Sequence, residues 1–274
     1  MGISRGAIKL IAMALKDRTP GGTVLTFGVQ SVDGGRNDVI AAMASANNGS
    51  TTAASEPLGA DASLPGQRIH QRELFSLLGF AATESLDCYD AESPTHIVDL
   101  NRPLPPALRG RFDLVYDGGT IEHCFNAPQA MMNVVSALAP GGRVIHHVPM
   151  NNWVDHGFYQ LSPTVFFDFY DANGFIDPRM KLHFMGRRRE SFAVYDPEND
   201  PRLPYSFGSK MQCLSFFTAE KSRDAGHTEI VFPLQRRYRE AFGGETKARP
   251  RKRGFARLKD SILKRTIRLR ASRI

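Results

Sequence analysis

A glutamate and a histidine stand side by side at Glu122-His123, just after the run Asp117-Gly118-Gly119. A second polar cluster follows one strand later: Asn151, Asn152, His156, Tyr159 and Gln160. An imidazole titrates near neutral pH, so either histidine suits the removal of a proton from a hydroxyl or amine. His156 is the first candidate for that role and His123 the second, because Gly157 allows a tight turn that projects the His156 ring inward. Asn151, Asn152, Tyr159 and Gln160 carry amides and a phenol, the groups that hydrogen-bond a polyhydroxylated or amide-bearing acceptor. Two plainer readings stand beside these. Glu122 braces the helix that follows it, and the polar loop satisfies its own backbone. No residue is assigned to a metal. Cys88, Cys124 and Cys213 lie far apart, without a CxxC pair or metal-ligand spacing, which also points to a reducing, cytoplasmic setting.

The elements that must position these residues are readable around them. FDLVYD is a buried strand that ends in an acid and two glycines; a helix, a Pro-Gly-Gly turn and a second strand follow, up to Pro149. That order is one βαβ unit of an open α/β sheet, whose ligands sit at the carboxyl ends of the strands. Upstream, Ile8, Ile11 and Leu15 form one stripe of a short lead-in helix over 6–16, and TVLTF at 23–27 reads as the first, central strand. Residues 44–66, rich in Ser, Ala, Asn and Gly, read as a loop. A helix is expected over 67–78 and short strands over 83–87 and 96–100. Ser162 and Pro163 start a further helix, and FAVY, CLSFFTA and EIVFPL supply closing strands. The expected fold is α/β: a Rossmann-like, open, mostly parallel seven-stranded sheet with helices on both faces and the last strand antiparallel.

The chain has 274 residues and a formal charge of +7. Residues 247–274 hold twelve Lys or Arg against one Asp, a net +11, so the remainder carries −4. Three parts are expected: a lead-in segment 1–22, a main domain 23–244 and a basic amphipathic tail 245–274. Phe255, Leu258, Ile262 and Leu269 fall on one face of that tail, which suits peripheral contact with an anionic membrane through 247–274. Electrostatic contact with nucleic acid and a solubilising terminus are the alternatives. The tail lacks interleaved aromatics and no Asn-Pro-Pro-Tyr type motif follows the fourth strand, which argues against a nucleic-acid base methylase. Lys9 interrupts the only N-terminal apolar patch and no cleavage site follows, so a secretory signal is not expected.

The segments DLNRPLP, FDLVYDGGTIEHCFN and NNWVDHGFYQLSPTVFFDFYDANGF, in that order, resemble the class I S-adenosylmethionine-dependent methyltransferases, and a mostly bacterial family within them. The resemblance covers roughly 20–180. It implies S-adenosyl-L-methionine as cofactor and methyl transfer to an oxygen or nitrogen of a small-molecule or glycan-like acceptor. It also implies cofactor contacts from Phe27, Gly28 and Gln30 after the first strand, and from Asp87 (rival Asp90) to the ribose. Asp99 and Leu100 would meet the adenine, and Asp117, Gly118 and Gly119 would line the cleft. In some relatives of this type the Glu-His pair helps bind a divalent metal. One departure stands out. The glycine-rich turn after the first strand is Phe27-Gly28-Val29-Gln30-Ser31 here, with a single glycine, so a non-catalytic protein that binds a ligand or partner at the same cleft is the alternative.

Overall fold

The computed structural model describes residues 2–47, 68–186, 190–196, 210–224 and 229–242. The tail 245–274 and most of the expected loop 44–66 lie outside them. Eight strands form one sheet in the order β3-β2-β1-β4-β5-β8-β6-β7. The strands are β1 (Thr23–Phe27), β2 (Ala82–Asp87), β3 (His96–Ile97), β4 (Phe112–Asp117), β5 (Leu138–Asn151), β6 (Phe175–Met185), β7 (Glu190–Tyr195) and β8 (Gln212–Lys221). The first five pair in parallel, while β8 lies antiparallel between β5 and β6 and β7 runs antiparallel to β6. The expected count of seven is therefore corrected to eight. FAVY and CLSFFTA, both expected as closing strands, lie in β7 and β8, and β6 is a further strand that no expected run marked. EIVFPL, expected as a strand, has no regular structure; Pro233 within it removes a donor that a ladder would need.

Each face of the sheet carries helices. The helices are α1 (Arg5–Leu15), α2 (Arg36–Asn47), α3 (Gln71–Leu77), α4 (Ala127–Ala137), α5 (Pro163–Ala172) and α6 (Arg236–Phe242). One apolar cluster joins Leu10 and Ile11 of α1, Val39 of α2 and Phe75 of α3 to Val24, Leu114 and Ile145 of the sheet. The other joins Met131 and Val134 of α4 and Phe166 of α5 to Leu25, Val115 and Val144. The alternation of β1, β4 and β5 side chains between the clusters is the period of two of a strand buried on both faces. Ser4 caps α1 by accepting the Ala7 N–H at 3.2 Å, and Ile3 pairs with Val32 in a parallel bridge. The N-terminal segment is thereby held against the turn that follows β1.

The Pro140-Gly141-Gly142 turn is absorbed into β5. Phe112 pairs with Leu138 and Leu114 with Arg143, so the β5 side advances five residues against two. Gly141 takes φ +80 to do so, a conformation that a residue with a Cβ resists.

A buried polar chain crosses the α4–α5 side of the sheet. His146 on β5 sits with Nδ1 2.7 Å from Asp117 Oδ2 on β4 and Nε2 2.6 Å from the Tyr170 hydroxyl on α5. With the ring proton on Nδ1 donating to the carboxylate, Nε2 accepts the Tyr170 O–H. All three side chains are buried. Replacing Tyr170 by Phe orphans His146 Nε2, and urea melts should show a loss of about 1–3 kcal/mol at unchanged m-value. A loss under about 0.5 kcal/mol would mean that the bond contributes nothing.

Candidate functional site

The carboxyl ends of β1, β4 and β5 converge on one turn. At the end of β1, Gly28 adopts φ +73. A Cβ there would stand 3.0 Å from Thr120 Oγ1 and 3.9 Å from Asp87 Oδ2, so glycine is required both by conformation and by crowding. Gln30 folds back over the strand end. Its Nε2 donates to the Phe27 carbonyl at 2.8 Å, and its backbone N–H donates to Gln71 Oε1 at 2.7 Å. The Thr120 hydroxyl donates to the same Phe27 carbonyl at 2.7 Å. Gln30 Oε1 is buried, lies over Gly118 and has no hydrogen-bond partner. The Gln30 side chain thus occupies the space that further glycines would leave open.

The expected cofactor residues fall into two groups. Gly28, Gln30 and Asp87 gather at this turn. Gly118 adjoins it, buried beneath the Gln30 side chain and the Tyr116 ring, and Gly119 beside it in the chain is buried too. The others stand apart from an open cleft. Asp117 has no exposed surface, and both its oxygens are taken, Oδ1 by the Thr120 and Ile121 N–H groups and Oδ2 by His146. It is a post for the turn and not a lining residue, because its partners enclose it on every side. Leu100 is packed into the core beside Leu86 and Leu104, and Phe27 is likewise core. Asp99 is exposed, but its Oδ1 accepts both the backbone and side-chain N–H groups of Asn101, at 2.9 and 2.8 Å. Those bonds hold its carboxyl below the usual range.

After β4, a 3₁₀ turn over Ile121–His123 presents Glu122 and His123. After β5, a loop with left-handed Asn152 and Asp155 brings His156 back over them. The loop is clamped onto Glu122 from two sides. The Phe158 and Tyr159 N–H groups donate to the Glu122 carbonyl at 2.8 and 3.2 Å, and a Cβ on Gly157 would stand 2.9 Å from that carbonyl oxygen. His156 Nε2 lies 3.7 Å and His123 Nε2 3.8 Å from Glu122 Oε1. The two imidazole rings are 5.1 Å apart, and Trp153 packs on His156 at 4.9 Å. The two histidines singled out from sequence are therefore neighbours.

The other loop residues are engaged in holding the loop. Asn152 donates to the Met211 carbonyl at 2.8 Å, the Trp153 N–H donates to Gln160 Oε1 at 2.9 Å, and the Tyr159 hydroxyl donates to the Phe125 carbonyl at 2.8 Å. Asn151 ends β5 opposite Cys213. Beside them Phe125 and Phe158 form an exposed edge-to-face pair with centroids 5.7 Å apart. Trp153 and Gln71 were not foreseen. A tryptophan before a histidine gives no sign of stacking, and the reach of Gln71 to Gln30 spans forty-one positions.

Glu122 is the electrostatic centre of the cluster. Its side chain is 0% exposed, and neither oxygen has a hydrogen-bond partner. Burial, with the Asp117 charge second, pushes its carboxyl up to about 8. Burial lowers His156, and burial with the neighbouring His156 lowers His123, so both rings are neutral at physiological pH.

No family profile matches the sequence, and no curated protein matches it. Solved structures of similar chain path include several methyltransferases. The citrinin polyketide synthase CMeT domain is 13% identical at TM-score 0.43, over 80% of this chain and 52% of that one. Phosphoethanolamine N-methyltransferase 2 of Haemonchus contortus, solved with S-adenosyl-L-methionine, is 13% identical at TM-score 0.41, over 78% and 52%. The N-methyltransferase NodS of Bradyrhizobium japonicum is 12% identical at TM-score 0.40, over 78% and 94%. The chain spans about half the length of the first two. Likeness at this level is one of layout and carries nothing over about substrate.

The raised Glu122 pKa makes a signed prediction. The carboxyl ordinarily titrates at 4.5 and here near 8. Between those values the folded chain keeps a proton that the unfolded chain has released, so stability falls as pH rises through that window. Glu122→Gln removes the ionisation. In EDTA, thermal melts should show the variant gaining on the parent between pH 5 and pH 9 by a few kcal/mol; a constant difference would contradict the burial argument.

Proposed function

We propose that this chain is an S-adenosylmethionine-dependent methyltransferase that methylates an oxygen or nitrogen of a small or glycan-like acceptor. The observation that carries the reading is the orphaned acceptor Gln30 Oε1 in the turn after β1, beside Gly28 and Asp87. A buried amide oxygen without a donor costs about 1–3 kcal/mol, and the ammonium of an amino-acid moiety is a donor that fits it. Gly28 holds the left-handed turn that brings these groups together, and Asp87 offers carboxylate oxygens for vicinal hydroxyls. These three residues would hold the cofactor, which when bound supplies an electrophilic methyl group on a sulfonium. Asp117 and Leu100 are left out of that set, since both are enclosed by protein.

His156 is the proton acceptor in this reading, with His123 second; they sit on the loops after β5 and β4, where His123 keeps 46% of its side chain exposed and His156 29%. The protein's part is chiefly to hold the acceptor in line. The exposed Phe125–Phe158 pair offers an apolar platform beside the polar loop. A second reading, a non-catalytic binding protein, is favoured by one fact: Gly28, Gln30 and Gly118 are all buried, so the turn after β1 is tightly filled.

The basic stretch 247–274 lies outside the described residues, and its contact with anionic lipid is proposed on charge and apolar spacing alone. Among the described residues no helix is long and apolar enough to cross a membrane.

Calorimetric titration of the full chain with S-adenosylmethionine and with S-adenosylhomocysteine tests the cofactor. Binding of at least one is expected, weakened about 10–100-fold by Gln30→Leu, the worth of one hydrogen bond to a charged group. Absence of binding by either at high micromolar concentration sinks the enzyme reading in favour of the second. For the tail, co-sedimentation with anionic vesicles should pellet the full chain and spare the chain truncated after Gly244; equal pelleting removes the membrane reading.

A further inference from the structure

A cavity of about 250 Å³ opens on the α1 side of the sheet, between the end of α1 and strands β5, β8 and β6. Leu10, Met13 and Ala14 line it from the helix, Ile145 and Phe216 from β5 and β8, and Lys181 from β6. The volume is room for about eight water-sized groups. It lies toward the amino end of β5, where Arg143 stands, and shares no residue with the turn after β1 or with the loops that carry His123 and His156.

The charged groups around this apolar hollow are unequally served. Arg143 is committed, to Glu220 at 3.2 Å and to the Ala14 carbonyl at 2.9 Å. Arg179 pairs with Asp177 at 2.8 Å. Lys16 and Asp17, both exposed, stand together at the rim. Lys181 is different. Its half-buried ammonium has Met13 Sδ, at 3.5 Å, as its hydrogen-bond partner among the described residues, and a thioether is a weak acceptor. Burial lowers this ammonium's pKa, and the Arg179 and Lys16 charges push the same way. The backbone of β6 is also shaped here. From Ile176 to Arg179 it advances three residues against two on β8, and Asp177 holds φ +54. Such a bulge re-aims the side chains beside it, and left-handed backbone outside glycine is kept where the surroundings use it.

We propose that this cavity binds a small amphipathic anion, with one carboxylate or phosphate head on an apolar chain of about eight atoms. The chain would lie against Met13, Ile145 and Phe216, and the head would take the Lys181 ammonium. That exchanges a thioether contact for a charge-assisted hydrogen bond, roughly twice as strong as a neutral one. An apolar pocket with one or two convergent polar groups is the usual form of a small-ligand site. A neutral apolar molecule would leave Lys181 as it is, and an inorganic anion would leave the apolar lining wet, so both halves of the ligand are needed. The site does not depend on the methyltransferase reading.

The test is calorimetric titration of the full chain with octanoate and with octyl phosphate, beside octanol and inorganic phosphate. Saturable one-to-one binding of at least one octyl anion is expected at or below ~1 mM, with octanol and phosphate each about tenfold weaker or more. The better of the two identifies the head. A chain two methylenes shorter should bind roughly tenfold more weakly. Lys181→Met keeps an unbranched apolar stem and should lose about 10–100-fold, the worth of one hydrogen bond to a charged group. Spectra of methyl-labelled methionine locate the ligand: Met13 should shift, and Met131, in the apolar cluster on the other face, should not. The chain truncated after Gly244 should bind as the full chain does, which separates the cavity from adsorption to the basic tail. No saturation by either octyl anion at ~10 mM, octanol binding as tightly as the anions, a folded Lys181→Met that binds like the parent, an unmoved Met13, or binding lost with the tail overturns the proposal. Titration with S-adenosylmethionine reads the turn after β1, so the two readings fail separately.

Discussion

A single buried carboxylate, Asp117, ties the functional end of this sheet together. It stands at the last position of β4, gives Oδ1 to the Thr120 and Ile121 N–H groups and Oδ2 to His146 on β5. Through His146 it reaches Tyr170 on α5. A buried charge is tolerable only when hydrogen-bonded this fully, and the result is that the turn carrying Glu122 and His123 has one position available. Its charge also acts at a distance, since it contributes to the raised pKa of Glu122. Asp117 thus acts on the geometry of the site and, second to burial, on its protonation.

Much of the layout was legible in the sequence because it depends on local patterns. TVLTF became β1 with no change of bounds, and the helix starting at Pro163 was marked by its Ser-Pro entry. What was missed lacked such a pattern. In α2 only Val39, Ala42 and Ala46 are buried, so a helix rich in Ala, Ser and Asn gives almost no apolar stripe and its end was read as loop. EIVFPL was misread for the opposite reason, a β-type composition without a neighbouring strand to pair with. The strand that no expected run marked is β6, because FIDPRMKLHFM mixes charged residues and a proline with its apolar ones and is mostly exposed over its first half.

The site was legible in its membership and not in its wiring. His123 and His156 were named from residue type and from Gly157, and they do stand together. Nothing local says that Glu122 is sealed from solvent, because the seal is the loop after β5 folding back onto it. Likewise Asp117 reads as a cleft residue from its place at a strand end, and only the third dimension supplies His146 to claim it. Asn152, Tyr159 and Gln160 have the polarity of an acceptor site, yet their groups are used to shape the loop that holds His156. Sequence spacing reports which side chains share an end of the sheet; long-range pairing decides which of them are spoken for.

The placement of β8 has a consequence for the order of assembly. This strand, late in the chain, slots between β5 and β6, which are both made before it. The loop that carries His156 is fastened to the segment at the start of β8, through Asn152 to Met211 and Trp153 to Cys213. Contacts of such separation form late, after their loop-closure cost has been met. The position of His156 therefore depends on a strand that the chain supplies about sixty residues later, and a change that unseats the start of β8 reaches that histidine without touching it.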